Sequence, residues 1–387
     1  MTKPTFDCVV FSGGGAKGAY GAGAALALER YREIKQVQSK VCWIGASAGA
    51  LNAAVMAMSD ASTLLKFWRE ITTRQVLNVL IKHREYQMSK RWLWHQLPYS
   101  GPYSIYPNKG LKKILKKRVD FNKLADSHLI VAATNYTTGQ LKAFVHSASL
   151  DSFLALDNSE DVANRRLKSW TKLNGESFVD TLLASCSIPI CFPPVKIDGE
   201  WYIDGGVGNN TPTREAAYFM RFLTKTETGN PGDVFCIKLN PPRTRQDGPI
   251  KEGPYDIAMR AIDVFHHVHT NPIVNAWYRI SKEVEANENR LMELSEWLDE
   301  KSLPAEFKAE VKAKARSLFD TNPGATRRGN FPLHMIEPTE VLADTLDFDS
   351  KIENMISNGY TSTLKYLEAK GMISLQELEE LLNREIK

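Results

Sequence analysis

Trp43-Ile44-Gly45-Ala46-Ser47-Ala48-Gly49-Ala50-Leu51 joins an apolar run to a helix through a Gly-x-Ser-x-Gly turn. The run begins at Val41, and small residues continue past the turn through Ala53, Ala54, Val55 and Met56. Strand, sharp turn and helix in this order form a nucleophile elbow. Gly45 and Gly49 keep side chains out of the crowded bend, and the Ser47 hydroxyl stands at the edge of a sheet. The helix that starts just beyond it points its positive dipole end at any negative charge developing there. The plain alternative is a Gly/Ser turn between a core strand and a core helix, and the flanking chain has to decide between the two.

Upstream, residues 6–11 read as a strand that ends in Ser12 and runs into Gly13-Gly14-Gly15-Ala16-Lys17-Gly18. Residues 19–31 follow as a helix with a small-residue face (Gly21, Ala22, Gly23, Ala24, Ala25) suited to close packing on a sheet. Strand, helix, strand and helix at this spacing predict a parallel sheet in an α/β layer.

Downstream, residues 64–106 are helical in pattern and rich in aromatics, from Phe67 and Trp68 through Tyr86, Trp92, Trp94, Tyr99 and Tyr103 to Tyr106. Leu111, Ile114, Leu115 and Val119 form one helical face opposite Lys112, Lys113, Lys116, Lys117 and Arg118. Such a helix can lie on anionic lipid, although a solvated face over a packed stripe is the commoner origin. Residues 129–133 and 141–145 read as a hairpin-like pair around Asn135-Tyr136-Thr137-Thr138-Gly139-Gln140. Residues 195–197 and 201–203 flank Asp198-Gly199, the clearest hairpin signal in the chain, and lead to Asp204-Gly205-Gly206. Residues 234–239 are another core strand. Beyond Gly253 the chain turns to charge-rich helices, with a last strand at 333–336 and a helical tail from 351. The division expected is a core over 1–250 and a helical extension over 251–387 packed on it as part of the same structural domain.

A chain of 387 residues with 43% hydrophobic and 24% charged residues is ordinary for a globular protein, and a net charge of +4 does not argue for nucleic acid. Five cysteines, three of them (Cys8, Cys42, Cys236) inside strand-like runs, read as buried free thiols of a reducing compartment. No Cys/His set has metal-site spacing. No apolar run reaches the roughly 18 residues of a membrane span, and no signal peptide is legible, so the expected setting is cytoplasmic.

The glycine turn satisfies the letter of a dinucleotide fingerprint, but the second strand ends in Gly45-Ala46-Ser47 rather than in the carboxylate that would hold a ribose. A Walker loop fails because Ala19 follows Gly18 where lysine is required. The remaining chemical use is an oxyanion hole, since consecutive glycines let bare N–H groups share one space; losing one such donor costs on the order of 100- to 1,000-fold in rate. None of the eight histidines stands in a strand-end context like that of Ser47. Asp204 does. A free aspartate, with a pKa of about 3.9, is a weak base at neutral pH, and burial beside the serine would raise it. Its plain alternative is a turn residue capping a loop.

Together, Gly13-Gly14-Gly15-Ala16-Lys17-Gly18, Gly45-Ala46-Ser47-Ala48-Gly49 and Asp204-Gly205-Gly206, in that order, closely resemble the patatin-like phospholipase family. Ala133-Thr134-Asn135, Ala184-Ser185-Cys186-Ser187-Ile188-Pro189 and Asn209-Asn210-Thr211-Pro212 also look familial. The resemblance implies a three-layer α/β/α sandwich with a mostly parallel central sheet and additional C-terminal helices. It implies a serine–aspartate dyad with Ser47 as nucleophile and Asp204 as base. Gly13, Gly14, Gly15, Lys17 and Gly18 would form the oxyanion turn, with no metal or organic cofactor. Lys17 stands where the family often has arginine, which keeps the charge but loses the planar fork.

The activity expected is phospholipase A-like hydrolysis of lipid esters through an acyl-serine intermediate, with peripheral membrane contact. The rival expectations are a general carboxylesterase or thioesterase, a phospholipase effector switched on by a partner or signalling nucleotide, and a nucleotide sensor using the glycine turn.

Overall fold

The computed structural model describes residues 5–78, 104–147, 170–226, 230–241, 289–319, 331–340 and 345–386, with isolated positions between 260 and 287 and at 342. Most of the aromatic stretch expected from Tyr86 to Tyr106, and the loop at 321–330, lie outside the described residues.

Among the described residues nine strands make one sheet: β1 (Thr5–Phe11), β2 (Lys40–Ala46), β3 (His128–Asn135), β4 (Leu141–His146), β5 (Trp170–Lys172), β6 (Val195–Ile197), β7 (Glu200–Ile203), β8 (Asn230–Ile237) and β9 (Leu333–Ile336). The main path runs β5-β4-β3-β2-β1-β8-β9, with the β6–β7 hairpin attached to β3. The five strands from β3 to β9 through β2, β1 and β8 are parallel, and β4 and β7 both run antiparallel to β3. The sheet is therefore mixed but mostly parallel. Strand order reverses at β1, and α/β sheets hold their ligands in the crevice at the carboxyl ends of strands flanking such a point.

Side-chain alternation explains the layers. Val9 and Phe11 of β1 face one core with Val131, Phe235 and the helices α1 (Gly18–Ile34), α2 (Ala48–Met58) and α3 (Ala61–Glu70). Phe6, Cys8 and Val10 face a second core with Ile44, Ile130, Phe219 and Met220, the last two from the helix Thr213–Thr226. Two apolar clusters on opposite faces of one sheet are a three-layer sandwich. Cys8, Cys42 and Cys236 all point into the second cluster, and all five cysteines are buried with none in a disulfide.

The small-residue face of α1 is shared between two neighbours. A Cβ on Gly21 would meet the Asn52 side chain at 2.4 Å and Phe11 at 3.4 Å, on the sheet side. A Cβ on Gly23 would stand 1.9 Å from the Ile356 carbonyl oxygen. That second contact belongs to the helix Ile352–Ala369, which lies along α1 so closely that Gly359 in turn touches the Tyr20 carbonyl. The sequence predicts packing of this face on the sheet and says nothing of a helix partner. Helix-on-helix contact at backbone distance is what bare Cα positions on both sides allow.

The basic helix Lys109–Arg118 buries Leu111 and Leu115, while Lys112 pairs with Asp180 and Arg118 with Glu70. Its apolar stripe is spent on the protein. No helix among the described residues is long and apolar enough to cross a membrane.

Candidate active site

Ser47 terminates β2 with φ 54° and ψ −131°, a backbone conformation that a non-glycine residue holds only when its surroundings force it. The forcing groups are backbone. A Cβ on Gly45 would stand 2.1 Å from the Gly49 carbonyl oxygen, and one on Gly49 would stand 2.2 Å from the Phe11 carbonyl oxygen. The bend closes only with hydrogen at both positions, which is the physical content of the Gly-x-Ser-x-Gly spacing. The Ser47 N–H donates to Ser185 Oγ at 2.9 Å, and Ser185 Oγ donates to the Ala132 carbonyl at 2.6 Å. Ser185 thereby ties the elbow to β3.

Asp204 arrives from the other direction. Asp198 (φ 48°) and Gly199 (φ 87°) make the left-handed two-residue turn that joins β6 to β7, and β7 pairs with β3 through Thr134 and Ile203. The Asp204 N–H donates to the Ser187 carbonyl at 3.0 Å, and its own carbonyl accepts from Thr134 Oγ1 at 2.8 Å. Gly205 is pressed against the Ala132 carbonyl and Ala46. The elbow and the Asp-Gly-Gly turn thus share Ala132 as a wall.

The carboxyl is fully buried, with Oδ1 accepting from the Gly206 N–H at 2.7 Å. Burial drives its pKa from 3.8 up to about 7, against the opposing pull of the Ser47 hydroxyl and the Gly206 N–H. The hydroxyl is near enough to weigh on ionisation but short of a well-formed hydrogen bond, since Oδ2 is buried without one. Such contacts tighten when substrate binds. Cys186 and Cys191 lie near enough for the Asp204 charge, after burial, to help push their thiols up, Cys191 to about 12. Both are held as neutral thiols.

The glycine turn closes the third side. A Cβ on Gly13 would stand 2.8 Å from Ser47 Cβ and 2.4 Å from Asn210 Oδ1, so Gly13 sits directly against the serine. The N–H groups of the turn divide sharply. Gly13 donates to the Asn210 carbonyl, Ala16 to the Thr345 carbonyl and Lys17 to the Gly14 carbonyl, while Gly18 is spent on Ala16 and Gly15. Those of Gly14 and Gly15 donate to no described residue, and neither does that of Ala48 at the start of α2. Of the five residues expected to form an oxyanion turn, Gly14 and Gly15 therefore carry the unspent donors. Gly13 gives clearance and Gly18 gives closure against Trp68. Lys17 is buried, with Nζ donating to Asn240 Oδ1 at 2.9 Å just beyond β8.

The described histidines are engaged elsewhere: His128 with Ser147, His146 with the Ala125 carbonyl, His334 with Asp233 and Tyr366. Among the described residues no group of three or more His, Cys, Asp or Glu side chains is placed to hold a metal ion. Ser185, Asn210, Asn52 and Thr345 were not assigned roles from the sequence. The first two fall in stretches that carry the family resemblance; the other two left no local signal.

Comparison with known proteins identifies the family. The profile of the family described as Patatin-like phospholipase matches residues 9–217. A curated relative from Pseudomonas aeruginosa, described as a cGAMP-activated phospholipase, is 26% identical over 215 residues, 54% of this chain and 55% of the relative. The chain spans about half the length of that curated relative. Among solved structures, VipD from Legionella pneumophila is 16% identical with a TM-score of 0.38, covering 95% of this chain and 67% of VipD. The type III effector ExoU is 13% identical with a TM-score of 0.20, covering 95% of this chain and 81% of ExoU, and neither likeness carries an argument at that score. With the matched region spanning more than half its length and enclosing all three turns of the site, the chain belongs to the patatin-like phospholipase family.

Proposed function

We propose that the protein is a phospholipase A-like lipid acyl hydrolase working through a Ser47–Asp204 dyad. The observation that carries the reading is a fully buried carboxyl with a pKa near 7 bearing on the hydroxyl of a serine in a strained elbow. Ser47 Oγ attacks the ester carbonyl while Asp204 takes its proton, and the oxyanion forms facing Gly14 N–H, Gly15 N–H and the start of α2. Collapse breaks the ester bond, Asp204 returns the proton to the leaving alcohol, and the acyl group stays on Ser47. Water then attacks the acyl-serine, giving its proton to Asp204, and the fatty acid leaves as Ser47 is restored. A carboxyl poised near neutrality suits both directions of transfer.

Lipid substrates place the enzyme at a membrane surface, and five buried cysteines outside any disulfide suit a reducing, cytoplasmic compartment. Ser47→Ala is expected to reduce fatty-acid release from phospholipid vesicles to the enzyme-free rate with an unchanged unfolding midpoint; sustained release would exclude the mechanism. A second reading is favoured by the description of the Pseudomonas relative as cGAMP-activated. On it the resting enzyme is slow, and a cyclic dinucleotide raises the rate of wild type while leaving Ser47→Ala inert.

A further inference from the structure

We infer that residues 345–348, more than 120 positions beyond the matched family region, are the positioning element of the glycine turn, so that the C-terminal part of the chain sets the rate of acyl transfer. This rests on the Ser47–Asp204 reading above. The Ala16 N–H donates to the Thr345 carbonyl at 2.8 Å. Gly15, at φ +57°, has no room on that side: a Cβ there would stand 2.0 Å from the Thr345 carbonyl oxygen and 2.7 Å from its Cγ2. Thr345 is thus seated against one of the two turn residues whose N–H is unspent, and it fixes the peptide plane that follows.

The strap is itself anchored. Phe348 N–H donates to Thr73 Oγ1 at 2.9 Å, and its ring stacks on Trp68 at 6.3 Å with planes 3° apart. Trp68 Nε1 donates to Asn52 Oδ1 at 2.7 Å, and Asn52 Nδ2 donates to the Gly18 carbonyl at 2.9 Å. Gly18 closes the turn against the Trp68 ring, where a Cβ would stand at 2.2 Å. The middle and the end of the turn are therefore held by one connected set of contacts, and its outermost members come from residues 345–348. No described hydrogen bond joins Thr345 or Phe348 to Ser47 or Asp204, so these are positioning residues. An oxyanion donor must face the charge that develops in the transition state, and a displacement of about 1 Å can cost on the order of 100-fold in rate.

Because the Thr345 contact is made mainly by its main-chain carbonyl, the test compares Thr345→Gly, which removes Cγ2 and frees the backbone that presents that carbonyl, and Phe348→Ala, which removes the anchor of the strap, with the conservative Thr345→Val and Phe348→Tyr in the full chain. Two rates are read: kcat and KM for fatty-acid release from phospholipid vesicles, and the rate of Ser47 phosphonylation by an alkyl p-nitrophenyl phosphonate. In that probe reaction Ser47 Oγ bonds to phosphorus, p-nitrophenolate leaves, and the phosphoryl oxygen takes the oxyanion position. Normalising to the fraction labelled at completion removes any unfolded protein. In the two disruptive variants kcat and phosphonylation are expected to fall together by roughly 100-fold, with KM nearly unchanged and both conservative variants close to wild type. A folded Thr345→Gly or Phe348→Ala that keeps both rates, or loses affinity alone, overturns the inference; if Phe348→Ala does not fold, Thr345→Gly decides. Ser47→Ala serves as the reference, because fatty-acid release by that variant would instead overturn the dyad.

Discussion

Asp204→Asn separates the two consequences of burying this carboxyl. Raising its pKa from 3.8 to about 7 makes ionisation in the folded protein harder by roughly 4 kcal/mol. For activity, Asp204 as the proposed base would work only when ionised, so kcat/KM of wild type should rise about tenfold per pH unit below pH 7 and level off above it. For stability, the folded state keeps a proton that the unfolded chain gives up near 3.8. The contribution is therefore fully present below that value and lost as pH rises through about 7. Between pH 5 and pH 8 the loss amounts to about 3 kcal/mol. Asn keeps the shape and the acceptor for the Gly206 N–H but cannot titrate. It should remove the acid limb of the rate profile, lower kcat by on the order of 100- to 10,000-fold, and flatten this part of the pH dependence of stability. Urea unfolding at pH 5 and pH 8, beside kcat/KM on a neutral ester from pH 5 to 9, measures both. A wild-type profile flat through pH 7, or a stability difference unchanged in Asp204→Asn, would refute the reasoning.

Three further perturbations probe the surrounding frame. Ser185→Ala removes the bridge from the Ser47 N–H to the Ala132 carbonyl; it should cost about 1–3 kcal/mol in urea unfolding and lower kcat more than it raises KM. Gly13→Ala drives a methyl between Ser47 Cβ and Asn210 Oδ1, so fatty-acid release should fall by roughly 100-fold or more, while far-UV circular dichroism stays that of wild type. Gly359→Ala pushes against the Tyr20 carbonyl at 2.0 Å; thermal unfolding should show a loss of about 1–3 kcal/mol, with kcat per folded molecule unchanged.

Much of this was legible along the chain because it is local. A strand is announced by its apolar run, a hairpin by Asp198-Gly199, an elbow by glycines two residues on either side of Ser47. Each reports a conformation that a short segment must adopt whatever it later touches. The last strand at residues 333–336 was readable for the same reason and takes its place beside β8. The partner of α1 was not readable, because Gly23 and Gly359 stand far apart in sequence and a bare Cα says that something comes close without saying what. The glycine turn shows the same limit. Six adjacent residues look equivalent as donors, yet their N–H groups are sorted by carbonyls arriving from Asn210 and Thr345.

The sequence by itself determined that a hydroxyl and a carboxylate would each end a strand at a tight glycine bend, and that a run of bare amides would follow the first strand. Those are consequences of steric exclusion within a few residues. Only the tertiary structure decided which amides remained unspent, and that Asp204 would be buried deeply enough to titrate near 7. A carboxyl's proton affinity depends on how much water the whole fold removes from around it, and no segment carries that information alone.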